Sequence, residues 1–166
     1  VYTSHATGNP ELRVVNSDGS VDRQVTDGIG ICVFPSFSPD GRYIVFNLEK
    51  DSESGIWRID PDGKDLTFLT RGTLPTFSPD SQRVFYYINR VVWYIPVEGG
   101  EPVRIQLPER DLATAPVVSP DSTMIAANYL VGEPNAEFKI GVIPMNGGKP
   151  IKVFDKITYA IKGLRW

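Results

Sequence analysis

PSFSPDGRYIVF, residues Pro35–Phe46, decides the fold because it returns twice along the chain. It reappears as PTFSPDSQRVFYY at Pro75–Tyr87 and as PVVSPDSTMIAANY at Pro116–Tyr129. The Ser-Pro-Asp triplets start at Ser38, Ser78 and Ser119, spacings of 40 and 41 residues. A period of this length suits a four-stranded β-propeller blade, one radial sheet per repeat. Each copy reads alike. A short apolar strand ends at Ser-Pro-Asp, and the Pro-Asp-Gly or Pro-Asp-Ser that follows is a turn, where Pro presets φ, Asp bonds its own backbone and Gly tolerates positive φ.

Second strands follow at Tyr43–Asn47, Arg83–Ile88 and Met124–Tyr129. Third strands are expected at Gly55–Ile59, Val91–Pro96 and Lys139–Pro144, each ending in a Gly-rich turn: Asp62-Gly63, Gly99-Gly100 and Gly147-Gly148. Fourth, more polar strands fall at Leu66–Thr70, Pro102–Leu107 and Pro150–Phe154. No long window carries a 3.6-residue apolar period, so the chain is expected to be all-β with almost no helix. The ends extend the frame. Val1–Ser20 aligns without a gap on Val45–Lys64, which starts the chain in a second strand, and Gly163–Trp166 occupies the place of a first strand. One propeller domain over 1–166 results, with blades at about 1–34, 35–74, 75–115 and 116–160, and 161–166 as the inner strand of a closing or next blade.

Composition sets outer bounds. The 166 residues are 41% hydrophobic and 22% charged, ordinary for a globular domain, and the net charge of −3 is spread without blocks. A nucleic-acid partner would ask for a basic stripe, and none is present. No apolar stretch approaches the roughly 18 residues of a bilayer-spanning helix, so membrane insertion is not expected. A single cysteine, Cys32, rules out an intrachain disulfide. That suits the cytoplasm as well as an unstapled periplasmic or secreted protein, the setting slightly favoured.

The residues in phase resemble the TolB-like (WD-like) propeller repeat: an apolar or aromatic residue before Ser-Pro-Asp-Gly, a strand, and a later strand ending in Asp-Gly. Val118 stands where the aromatic is expected, and Ser81 and Ser122 where Gly is. The resemblance covers essentially the whole chain. It implies a non-catalytic scaffold binding a protein or peptide partner. The same blades accompany prolyl-oligopeptidase-type hydrolases, which leaves a gating propeller of such an enzyme as the alternative.

Catalytic groups are sparse. His5 is the only histidine and falls in a polar connection, there is no Gly-x-Ser-x-Gly elbow, and Cys32 lies in the apolar run Ile29–Phe34. Asp60-Pro61-Asp62-Gly63-Lys64-Asp65 lacks the downstream bidentate Glu of a calcium loop and coincides with a repeat turn. No enzyme activity, cofactor or metal is therefore expected. Candidate partner-binding residues come from propeller geometry, in which sites form around the channel. Ser36, Thr76 and Arg165 hold equivalent inner-strand positions, and Arg71 and Arg110 lie in the connections before inner strands. Stacked blades would wedge on Phe37, Phe77 and Trp166, helped by Phe46, Trp57, Phe85, Trp93 and Tyr129. Three arrangements satisfy four blades' worth of strands: a piece of a larger propeller, a homodimer completing an eight-bladed ring, or a small ring closed by the chain's own ends. A monomeric solution mass would exclude the homodimer.

Overall fold

A computed structural model of the chain describes residues 1–6, 8–50, 54–89, 91–106, 114–131 and 137–154. Fifteen strands and no helix are found among them. The first sheet contains β1 (Tyr2–Ser4), β2 (Glu11–Val15) and β3 (Asp22–Gln24). Next come β4 (Ile31–Phe37), β5 (Ile44–Glu49), β6 (Gly55–Ile59) and β7 (Thr67–Thr70). The third sheet is β8 (Thr73–Phe77), β9 (Arg83–Ile88), β10 (Val91–Pro96) and β11 (Val103–Arg104). The last is β12 (Thr114–Val118), β13 (Met124–Val131), β14 (Glu137–Pro144) and β15 (Lys152–Phe154). Every sheet is an antiparallel meander in chain order, so each is one blade. The first strands of the second and third blades, β4 and β8, lie against one another, and the second strand β1 of the first blade lies against β4 as β5 does against β8, which places first strands on the inner side of the arc.

The Ser-Pro-Asp turn repeats because its side chains build it. The Ser38 amide donates to the Tyr43 carbonyl at 2.9 Å, and the Ser38 hydroxyl accepts from the Tyr43 amide at 2.9 Å while donating to Asp40 Oδ1 at 2.6 Å. Ser78 and Ser119 repeat the pattern with Arg83 and Met124. The position after Asp needs positive φ, and Gly41 takes it freely at 74°. Ser81 and Ser122 take it at 60° and 57°, at a cost of roughly 1–2 kcal/mol each. For Ser81 an interaction offsets that cost: its hydroxyl accepts the Asp40 amide of the preceding blade's turn at 3.1 Å.

Both faces of a blade are apolar, and strand alternation divides them between two neighbours. On β5, Ile44, Phe46 and Leu48 pack with Leu12 and Val25 of the first blade and with Cys32 of the adjacent β4. Val45, between them, turns the other way and packs with Val84 and Tyr86 of the third. On β9, Phe85 and Tyr87 face Val118, Ile125 and Ala127 of the fourth. Phe77 is buried between the second and third blades, with Trp93 packed alongside, while Phe37 and Trp57 pack against the first interface. Tyr129 lies on β13. Trp166 lies outside the described residues, as does the segment 161–166.

Guanidinium clips tie the rims of these interfaces. Arg58 donates to the Val97 carbonyl at 2.9 Å, pairs with Glu98 and stacks 4.3 Å over the Tyr43 ring. Arg23 makes the equivalent link one interface earlier, pairing with Asp62 at 3.2 Å and donating to the Pro61 carbonyl. The acidic turn Asp60–Asp65 is thus an acceptor for a neighbouring blade.

The turn carboxylates set an acid response. The Ser38 and Ser119 hydroxyls, then the Arg42 and Thr123 amides, hold Asp40 and Asp121 below the usual carboxylate range. At Asp80 burial pushes upward and is outweighed by the Ser78 hydroxyl, the Gln82 amide and the charge of Arg83. A carboxylate held low when folded stabilises fully above its unfolded pKa of about 3.9, and that stabilisation is lost as pH falls through the folded value. The urea midpoint is expected to stay level from neutrality to about pH 5 and to drop steeply below about pH 4. Replacing Asp40, Asp80 and Asp121 together by Asn is expected to make the drop shallower.

Candidate functional site

The inner strands are not regular. Val33 pairs with Asn47 and Ser36 with Val45, so Phe34 and Pro35 together oppose the single residue Phe46. Thr73 pairs with Tyr87 and Thr76 with Phe85, leaving Leu74 and Pro75 opposite Tyr86. β12 breaks at the same place, between Thr114 and Val117. A β-bulge therefore recurs in three consecutive inner strands. Proline explains its site, because Pro cannot donate to the ladder and is accommodated inside a sheet at bulges. It also disfavours the right-handed helical region for the preceding residue.

Phe34 and Leu74 consequently sit in the left-handed region, each at φ 55°. Left-handed backbone is uncommon for a bulky side chain and costs roughly 1–2 kcal/mol. Both side chains point to solvent, Phe34 55% and Leu74 44% exposed, in a part of the chain otherwise built to bury large apolar groups. Exposed Ile31 opens the same strand as Phe34. Together they form an apolar rim where the chain enters the inner strands.

Asn47 fixes the bulge at Leu74 from the neighbouring blade. It is only 8% exposed, between apolar Phe46 and Leu48 in the middle of β5. Its Nδ2 donates to the Gly72 carbonyl at 2.9 Å and to the Gly55 carbonyl at 3.3 Å. Its Oδ1 accepts the Leu74 amide at 2.9 Å, the donor that the bulge removes from the ladder. Gly72 admits this approach because a Cβ there would stand 2.5 Å from Tyr86 Cδ2. In the first blade Thr3 holds the place of Asn47, and its hydroxyl donates to the Cys32 carbonyl at 3.3 Å. The longer connection before β4 is pinned by buried Glu11, which accepts the Gly28 amide at 2.8 Å and the Thr26 hydroxyl.

Of the residues singled out from sequence, Ser36 and Thr76 do occupy one register on adjacent inner strands, both half-buried. They lie two residues beyond Phe34 and Leu74, toward the Ser-Pro-Asp turns. Arg71 is exposed in the connection between β7 and β8, at the rim end. Arg110 and Arg165 lie outside the described residues. His5 is exposed, and Cys32 is buried, its thiol pushed up to about 11 chiefly by burial. Among the described residues no cluster of His, Cys, Asp or Glu could hold a metal ion. Phe34, Leu74 and Asn47 were not singled out from sequence. Their signals were Pro inside a strand at Pro35, Pro75 and Pro116, and one amide within the apolar run VFNL.

No family model matches the chain. An uncharacterized protein of Agrobacterium fabrum is 33% identical over 80 residues, covering 46% of this chain and 27% of its own length. The structure is similar to TolB from Acinetobacter baumannii, with a TM-score of 0.72 at 18% identity, covering 91% of this chain and 38% of that one. It is similar also to a putative TolB from Agrobacterium tumefaciens, TM-score 0.71 at 20% identity, over 92% of this chain and 58% of that one. An acylaminoacyl peptidase of Pyrococcus horikoshii matches at a TM-score of 0.59 and 12% identity, over 74% of this chain and 24% of the peptidase. The fold is thus a TolB-like β-propeller arc, and the chain spans less than two thirds of the length of each of these proteins.

The rim's cost should be visible in stability. Leu74→Gly is expected to leave the unfolding free energy from urea denaturation within about 1 kcal/mol of the parent, since relief of left-handed strain offsets the added freedom of the unfolded chain. Asn47→Ala, which strands the Gly72 carbonyl and the Leu74 amide, is expected to cost about 2–4 kcal/mol by the same measurement.

Proposed function

We propose that this arc is a non-catalytic binding module whose rim takes an extended protein or peptide segment carrying apolar side chains. The observation that carries the reading is the paired display of Phe34 and Leu74: two bulky apolar groups exposed at the same register of neighbouring inner strands, in a backbone conformation that costs free energy. Strain of this kind persists where surrounding structure over-determines it, and it concentrates at binding sites. Arg71, exposed beside the rim, offers a cation to a carboxylate or backbone carbonyl of the partner. Ser36 and Thr76, further along the same strands, add hydroxyls to the wall.

The likeness to the propeller of an acylaminoacyl peptidase supports a second reading, in which the arc gates access to a separate serine-hydrolase domain. There the rim would contact substrate peptides in transit. A coding sequence that continues into an α/β-hydrolase with a Gly-x-Ser-x-Gly elbow would decide for it.

Covering two half-exposed apolar side chains is worth about 1 kcal/mol each, so losing both should weaken binding by roughly thirtyfold. Panning a display library of short linear peptides against the protein is expected to enrich apolar sequences. Titrating an enriched peptide into the Phe34→Ser, Leu74→Ser double variant should show that weakening, whereas Val153→Ser on the outer strand β15 should not change affinity. Enrichment of nothing, or equal affinity in the double variant, would overturn the reading.

A further inference from the structure

We infer that Asn47 is a positioning residue for the rim: it sets the outward display of Leu74 across the interface between the second and third blades. The inference deepens the binding reading and rests on it only for what the display is for.

The bulge gives Leu74 two problems. Its amide has lost its ladder partner, and Pro75 closes off the right-handed helical region. An extended Leu74 would continue the strand's alternation and direct its side chain into a sheet face. The left-handed alternative turns the side chain out of the alternation, and it needs an acceptor for the amide in that geometry. Asn47 Oδ1 is that acceptor, at 2.9 Å. Through Nδ2 the same carboxamide holds the Gly72 carbonyl, two residues upstream, at 2.9 Å. Both sides of the bulge are therefore gripped by one side chain whose own backbone belongs to another blade. Each buried hydrogen bond of this type contributes about 1 kcal/mol net, enough in pairs to match the left-handed cost. One interface earlier Thr3 stands in the place of Asn47: its hydroxyl donates to the Cys32 carbonyl, the counterpart of Gly72, and Phe34 of the next blade is left-handed at the same φ.

A thiol at the display position reads this without any ligand. Buried Cys32 serves as the internal control, since thiol reactivity follows exposure and thiolate character. Leu74→Cys is made in the full chain alone and together with Asn47→Thr, Asn47→Val or Asn47→Ala. The rate of reaction with an aromatic disulfide reagent is then followed at both positions. Thr and Val have the same shape and differ in the hydroxyl. The thiol at position 74 is expected to react at the parental rate with Asn47→Thr and roughly tenfold slower with Asn47→Val and Asn47→Ala, with Cys32 unreactive throughout. General loosening would have the opposite sign and accelerate both thiols. Equal rates at position 74 in the Thr and Val variants would overturn the inference. So would a Cys32 that becomes reactive in the Val variant while staying protected in the Thr variant, because Asn47 would then hold the fold together and not the display. Since no peptide is involved, failure here leaves the panning result standing, and failure of panning leaves this one standing.

Discussion

Everything in this chain depends on packing between blades, which buries both faces of the second and third. A four-stranded sheet with one covered face would leave Phe46 or Phe85 in water, and neither could be exposed without losing a large part of the core. β5 shows the constraint most plainly. Ile44, Phe46 and Leu48 pack toward one neighbour and Val45 toward the other, so no position on the strand is free to face solvent until Glu49. Stability is then a property of interfaces between blades, as in other repeat architectures. The polar links follow the same logic: the clips of Arg58 and Arg23 and the Asp40–Ser81 contact all run between consecutive blades.

Two-sided packing leaves little surface for function. The faces are used, and the turn end is occupied by the Ser-Pro-Asp bonding pattern. What remains is the opposite end of the inner strands, where the repeated bulge breaks alternation. There a side chain can leave the sheet face without exposing the core behind it. Leu74 and Phe34 take that route; Asn47 of the preceding blade receives the Leu74 amide, and Thr3 bonds the Cys32 carbonyl two residues before Phe34. The buried amide is the local exception to an apolar strand, and it is satisfied at both ends, which is why it can be tolerated at all.

Much of this was legible in the chain. The blade period, the strand order and the turns follow from local chemistry, since a Ser-Pro-Asp turn closes on its own side chains within five residues. Phe37, Phe77, Phe46 and Phe85 could be assigned to interfaces because period-two alternation needs only neighbours in sequence. Ser36 and Thr76 were aligned correctly with each other for the same reason. The rim was not legible. Alternation carried through Pro35 and Pro75 counts regular strand where two residues oppose one, and that hides the side chains which escape the sheet.

By itself, then, the sequence determined the all-β repeat, the blade unit and the scarcity of nucleophile and base, all of which depend on residue type at short spacing. Tertiary structure alone decided that Asn47 meets Leu74, that Ser81 receives the Asp40 amide, and that Arg58 reaches Val97. Those partners lie 27, 41 and 39 residues apart. They come together only because packing of one blade on the next fixes which strand ends face each other, and no local preference encodes that distance.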